Sequence, residues 1–351
     1  MNVAGHGIDI EQPGVLVGWL RTHGLIGAEE QPRVQVLAGG VSNRTVLIER
    51  ADGAWVVKQA LAKLRVQVDW FSSPERIHRE ADGLRWLVQF APASSITPLV
   101  FEDRSDHLLG MEAVPQPHVN WKTMLLRGEV VDDHVRQFAR LAALVHGGSA
   151  GRQAELRGPF GDRSFFESLR LEPYYDYTAA QVSETAGFYA GLLAETRARQ
   201  ITLVHGDFSP KNVLVHDGRL VLLDHEVIHL GDPGFDLGFG ITHLLSKAHH
   251  VAAHRQALLT AAGLFWGTYA ATLTDLAPGL LADDLEARAV RHTLGCLLAR
   301  VRGRSPLEYM DEGERARQAA VVGRLMGRPP ATIDALIKQF ATELDSEEHL
   351  G

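Results

Sequence analysis

Between residues 203 and 238 the chain concentrates side chains that can hold a metal and move protons: His205-Gly206-Asp207, Asn212, Asp224-His225-Glu226 and Asp236. Two apolar runs, 213–215 and 220–223, flank His216-Asp217-Gly218-Arg219, and an Asp-Gly between Val- and Leu-rich runs predicts a β-hairpin. A two-residue loop sets Asn212 opposite Leu223, one residue short of Asp224; a three-residue loop sets Asn212 opposite Asp224 itself. Either way the open end of the hairpin carries an amide and a carboxylate. Asp207 stands close enough before Asn212 to return to the same end. Two carboxylates and an amide of this kind suit phosphoryl transfer: one carboxylate accepts a hydroxyl proton while hard oxygen ligands hold magnesium against a triphosphate.

The set follows the protein-kinase pattern of a catalytic loop ending in Asn and a later metal-binding Asp. His205-Gly206-Asp207, Asn212, Asp224-His225-Glu226 and the run 231–238 resemble more closely the aminoglycoside phosphotransferase and choline kinase-like family of small-molecule kinases. Gly206 replaces the Arg that protein kinases usually carry there, and no Phe-Gly pair follows Asp224. The resemblance implies Asp207 as catalytic base, Asn212 and Asp224 as magnesium ligands, and Glu226 as a further ligand. It also implies that Asp236 bonds backbone amides of the catalytic loop. The implied fold is α+β and bilobal, protein-kinase-like, with a small antiparallel-sheet lobe and a larger, mainly helical one.

Other elements must position these residues. Residues 14–26 read as a short amphipathic helix, and residues 33–37, 41–50 and 54–58 as strands separated by Gly39-Gly40 and Asp52-Gly53. Glycines allow close approach of a backbone to phosphates, and Ser42 and Asn43 add polar groups beside them. Lys58 ends the third strand, where an ammonium can reach nucleotide phosphates. Ser72-Ser73-Pro74-Glu75 predicts a capped helix start. Glu75 is accounted for by the first turn, so Glu80, within His78-Arg79-Glu80-Ala81, is the expected partner of Lys58. Residues 99–101 and 107–114 read as two more strands. The second resembles the interlobe hinge of kinases, which implies nucleotide contact at Glu112 and Val114 and a division into residues 1–114, nucleotide-binding, and 115–351, catalytic and substrate-binding.

Beyond that division helices are expected at 132–145, 179–198, 249–270 and 285–302, with a Gly-rich loop at 147–161. Tyr174, Tyr175 and Tyr177, beside Glu172 and Asp176, suit either a polar pocket or core packing. Arg300, Arg302 and Arg304 form a basic cluster in an acidic chain. They either complement the end of the helix from Leu285 or bind an acceptor, as guanidinium forks suit hydroxyl-rich or anionic ligands.

The 351 residues carry a formal net charge of −8, which argues against a nucleic-acid partner. The single Cys296 excludes an internal disulfide and, in an apolar stretch, predicts a packed thiol; with no secretory pattern at residues 1–10 it points to the cytoplasm. Residues 256–274 are uncharged, but Thr and Gly dilute them, predicting a buried helix and no membrane span. His250 and His254 share an i, i+4 spacing without a local carboxylate or cysteine, so a solvated helix face is expected there. The expected activity is ATP- and Mg2+-dependent phosphotransfer to a hydroxyl of an aminoglycoside-like, amino-alcohol or sugar acceptor. A non-catalytic nucleotide-binding regulator is the alternative, and it predicts damage to Lys58, Asp207, Asn212 or Asp224, all of which are present.

Overall fold

The computed structural model describes residues 8–37, 42–65 and 70–350; Gly39 and Gly40 lie outside them. Strands β1 (Arg33–Val36), β2 (Asn43–Arg50), β3 (Gly53–Ala60), β4 (Leu99–Asp103) and β5 (Leu108–Glu112) form an antiparallel sheet ordered β1-β2-β3-β5-β4. Alternation along β3 divides the sheet's two faces. Val57 joins Val46, Ile48 and Leu108 under Leu16, Trp19 and Leu20 of helix α1 (Pro13–Thr22). Lys58, the next residue, therefore points to the other face, towards helix α2 (Arg76–Leu87).

Helix α2 buries Ile77, Ala81, Leu84 and Leu87, a helical stripe that joins the large core. Its start is in part as expected: Ser73 Oγ accepts from the Glu75 N–H at 3.3 Å, but Glu75 is itself helical and makes no side-chain cap bond. The carbonyls of Ser72 and Ser73 instead accept from Arg76 Nη1 at 3.1 and 3.0 Å, so the guanidinium shapes this turn.

After β5 the chain is largely helical, with two small sheets that carry the segments around Asp207, Asn212 and Asp224. Strands β6 (Val119–Asn120), β8 (Val213–His216) and β9 (Arg219–Leu222) pair in the order β6-β8-β9. Strand β7 (Thr202–Val204) pairs with β10 (His229–Gly231). The β8–β9 hairpin has the two-residue loop: His216 pairs with Arg219, and Asp217 and Gly218 adopt φ of 49° and 72°, the twist a tight hairpin requires. Leu223 N–H donates to the Asn212 carbonyl at 2.9 Å, so the open end is in the register derived for that loop.

The helices differ from expectation where packing overrides composition. Residues 147–161 are not one loop. The helix Asp132–Ser149 runs through Gly147 and Gly148, where a Cβ would come within 2.9 Å of Leu276 and Phe90, and a second helix spans Gln153–Phe160. Residues 179–198 break at Val182, where Thr185 Oγ donates to the Val182 carbonyl at 2.8 Å. Residues 249–270 split between Pro233–His250 and Arg255–Leu276, so His250 and His254 do not share a helical face. The helix Leu285–Arg302 matches its expected bounds. Cys296 is buried, its thiol pushed up to about 12 by burial. Among the described residues no helix is long and apolar enough to cross a membrane.

Candidate active site

The loop between β7 and β8 begins His205-Gly206-Asp207, and its shape is fixed from below. Asp236, in the first turn of the helix Pro233–His250, accepts from the backbone N–H of His205 at 2.7 Å and of Gly206 at 2.8 Å. His205 Nδ1 accepts from Asp207 N–H at 3.1 Å, so its Nε2–H donates to the Leu223 carbonyl at 3.1 Å. Gly206 has φ of 78°, and a Cβ there would lie 2.9 Å from the Val227 carbonyl oxygen.

This loop presents a buried Asp207 whose two oxygens have different surroundings. Oδ2 meets Arg170 Nη2 at 2.8 Å and Lys211 Nζ at 2.9 Å, and accepts from Asn212 Nδ2 at 2.8 Å. Oδ1 is buried and without a partner among the described residues. Burial raises the carboxyl's pKa, but Arg170 and Lys211 outweigh it and hold it below the ordinary carboxylate value.

Asp224 follows β9 with φ of 66° and comes back beside the small lobe's sheet. Lys58 Nζ lies 2.7 Å from Glu80 Oε1 and 3.1 Å from Asp224 Oδ1, bridging β3, α2 and the hairpin. The Lys58–Glu80 pair is thus as expected, whereas Glu75 turns to His107, 3.8 Å from its Nδ1. Burial opposes the charge on Lys58, yet Asp224 and Glu80 hold its pKa above the ordinary lysine value. Burial likewise opposes the charge on Asp224, whose pKa Lys58 and Lys211 keep low.

Sequence reasoning missed Arg76, Arg170 and Lys211. Arg76 is buried, donates to the Ser42 and Leu61 carbonyls, and meets Glu226 Oε2 at 3.1 Å. Asn43 Nδ2 reaches the same oxygen at 3.4 Å. Glu226, expected beside the metal, therefore has one oxygen committed to Arg76 and Asn43. Lys211 offered a faint signal, four residues from Asp207, whereas Arg170 lies on an irregular helix, Glu167–Asp176, with no local pattern to mark it. Gly83 of α2 explains how helix and hairpin come close enough for these pairs: a Cβ there would sit 3.0 Å from His225 Cβ.

Two adjoining cavities meet at Thr45, Lys58, Lys211, Asn212 and Asp224. The first, about 590 Å³, is an apolar slot between Leu47, Val56, Met111 and Leu223, edged by Glu112 and Val114. The second, about 560 Å³, contains Asp207, Ser42 and Asn43 and extends to Asn120, Lys122, Tyr174 and Ser305. Of the three tyrosines, Tyr174 lines this cavity, Tyr175 is a core residue bonded to His292, and Tyr177 lies beneath Arg304. The three arginines are not brought together. Arg300 is buried, donating to the Ser305 carbonyl, to Ser305 Oγ at 2.9 Å and to Tyr174 OH at 3.3 Å. Arg302 pairs with Glu312 and Arg304 with Glu172, both towards solvent and outside the two cavities.

A small antiparallel sheet over a mostly helical remainder, with Lys58–Glu80 and Asp207–Asn212–Asp224 at their junction, defines a small-molecule kinase of protein-kinase-like fold. Residues 33–273 match the family described as "Phosphotransferase enzyme family", and the chain belongs to it. It is 25% identical to methylthioribose kinase of Pectobacterium atrosepticum over 70% of this chain and 71% of that one. It is also 25% identical to the methylthioribose kinase of Yersinia pseudotuberculosis, over 68% of each. In fold it is similar to amicoumacin kinase hAmiN, solved with AMP-PNP, Ca2+ and Ami (TM-score 0.53, 15% identity, 90% of this chain and 94% of that one). It is similar also to choline kinase of Cryptosporidium parvum (TM-score 0.51, 12% identity, 97% and 96%).

Proposed function

We propose that the chain transfers the γ-phosphate of ATP to a hydroxyl of a small, sugar-type molecule. The observation that carries this reading is Asp207. One carboxylate oxygen is fixed by three donors while the other, buried, has no partner among the described residues and is free to take a proton. The acceptor oxygen forms a bond to the γ-phosphorus, the bridging P–O bond to the β-phosphate breaks with ADP leaving, and the hydroxyl proton passes to Asp207 Oδ1. Because Arg170 and Lys211 keep Asp207 ionised, it is ready to accept at neutral pH.

The apolar slot suits the base, with the backbone near Glu112 and Val114 at its edge, and Lys58 held by Glu80 faces the phosphates. Gly39, Gly40, Ser42 and Asn43 complete the phosphate side in this reading. The metal residues fit magnesium by chemistry. Asn212 spends its amide nitrogen on Asp207, leaving its oxygen, and Asp224 and the remaining oxygen of Glu226 add hard donors. Bound there, Mg2+ supplies charge neutralisation for the phosphate oxygens. The relatives named methylthioribose kinase support a sugar-type acceptor over an amino alcohol. We also place the lobe division at residues 114/115, and a buried thiol fits a cytoplasmic protein.

The test is acceptor-dependent ADP release across a panel of metabolites and antibiotics, with Asp207→Asn alongside wild type. The variant is expected to bind Mg-ATP and lose most turnover. Near-normal acceptor turnover by Asp207→Asn sinks the reading.

A further inference from the structure

The end of the second cavity away from Lys58 is rich in cations. Lys122, Arg170 and Lys211 line it, and Arg300 stands directly behind, bonded to Ser305 and Tyr174 of its wall. Lys247 lies deeper, fully buried, its Nζ donating to the His243 carbonyl at 3.2 Å and standing 5.3 Å from the centre of the Tyr309 ring. Asp207 faces Arg170 and Lys211, and Glu308 faces Lys122, while Asp224 and Glu226 line the same cavity nearer Lys58. At the other end of the cleft Lys58 and Arg76 face Glu80, Asp224 and Glu226, a balance suited to a bound dication.

Buried charge of one sign is costly unless a partner supplies the other. Unpartnered polar atoms stand beside these cations: Arg300 Nε and Tyr309 OH are buried without a partner among the described residues, as are Ser209 Oγ and the ring nitrogens of His243, one a donor and one an acceptor in the neutral ring. The field shows in the neighbouring groups. Burial, then Lys122 and Arg300, brings the Lys247 ammonium down to about 7, and burial with Lys247, Arg300, Lys211 and Lys122 keeps His243 well below its ordinary value. Arg170 and Lys211 are accounted for by Asp207 and the transferring phosphate. Lys122 and Arg300 are not, and Lys122 lines the second cavity but not the nucleotide slot.

We infer that the acceptor carries an anionic group, a carboxylate or a phosphate, beside the hydroxyl it offers, and that Lys122 with the Arg300-backed Ser305–Tyr174 wall receives that group. This rests on the phosphotransferase reading above and narrows its acceptor to acidic or phosphorylated sugars and polyols. A polycationic aminoglycoside or a quaternary amino alcohol would add positive charge where it is already in excess.

The experiment loads the full chain with Mg-AMP-PNP and then titrates gluconate, ribose 5-phosphate, glucose and kanamycin at constant ionic strength, reading binding by calorimetry. Failure to bind Mg-AMP-PNP counts against the kinase reading itself and is seen before any acceptor is added. With the nucleotide bound, gluconate or ribose 5-phosphate is expected to bind at least tenfold more tightly than glucose and kanamycin, and which of the two wins distinguishes carboxylate from phosphate. Lys122→Gln is expected to erase that preference while Lys122→Arg keeps it. Both variants alter a partly exposed side chain, and unliganded melting curves check that they fold. Glucose or kanamycin binding as well as both anions, no binding by either anion, or an anion preference unchanged in Lys122→Gln overturns the inference.

Discussion

The two ends of the cleft solve opposite electrostatic problems. At the nucleotide end each carboxylate has a cation from another element: Glu80 of α2 meets Lys58 of β3, and Glu226 meets Arg76. At the acceptor end cations outnumber carboxylates, and only Asp207 and Lys211 share a loop. Pairing across elements makes the first end a mechanical joint between sheet, helix and hairpin. In the inference drawn above, the surplus at the second makes it a receptor whose balance waits on a ligand, so that buried charge serves recognition there and architecture at the first.

Changing Asp207 tests the point where the ends meet and should have the largest effect. Asp207→Asn should lower kcat by about 10²–10⁴-fold, the usual worth of a positioned base, with Mg-ATP affinity retained in calorimetry. In wild type the carboxyl is held low, so its ionised form persists on acidification below the ordinary aspartate value of about 3.9. Asp207 and Asp224 are both depressed, so their contribution to stability is present above that value and is lost as pH falls through their folded-state values. An acid-melting series that stayed flat below pH 4 would contradict this.

Breaking the joint comes next. Arg76→Met strands the buried Glu226 and should cost about 3–5 kcal/mol in denaturant unfolding. Adding Glu226→Gln should restore part of the loss; if the double variant is less stable than the single one, the pairing is not what Arg76 provides. Glu80→Gln should be milder, because Lys58 keeps Asp224. Losing one charged hydrogen bond of about 1.5–3 kcal/mol predicts a roughly 10- to 100-fold fall in kcat/KM for ATP. The smallest effects belong to Arg302→Ala and Arg304→Ala, whose exposed pairs with Glu312 and Glu172 are worth about 0–1 kcal/mol. Acceptor KM should stay at the wild-type value in both, and a rise would return these arginines to the acceptor site.

What was legible in the sequence was local. The Asp-Gly turn sets the hairpin register, which brings Asn212 and Asp224 to one end. Strand alternation places Lys58 on the face opposite Val57, and helical spacing separates Glu80 from the first turn. Arg76 and Arg170 were illegible because their partners lie 150 and 37 positions away, joined by packing that no nearby residue announces. Gly147 and Gly148 misled for a related reason. Glycine marks a turn when the backbone needs freedom, but here it marks contact of a continuous helix with Leu276 and Phe90.

Gly206 has a consequence for control. In protein kinases the residue following the loop histidine is usually an arginine, and arginines that pair with a phosphorylated activation loop are how such enzymes are switched on. Here the left-handed backbone and the Val227 carbonyl beneath it leave no room for any side chain at position 206. Switching by phosphorylation through that position is closed to this chain. Asp236 instead holds the loop in place by direct bonds to the amides of residues 205 and 206, so the fold itself orders the loop that carries Asp207.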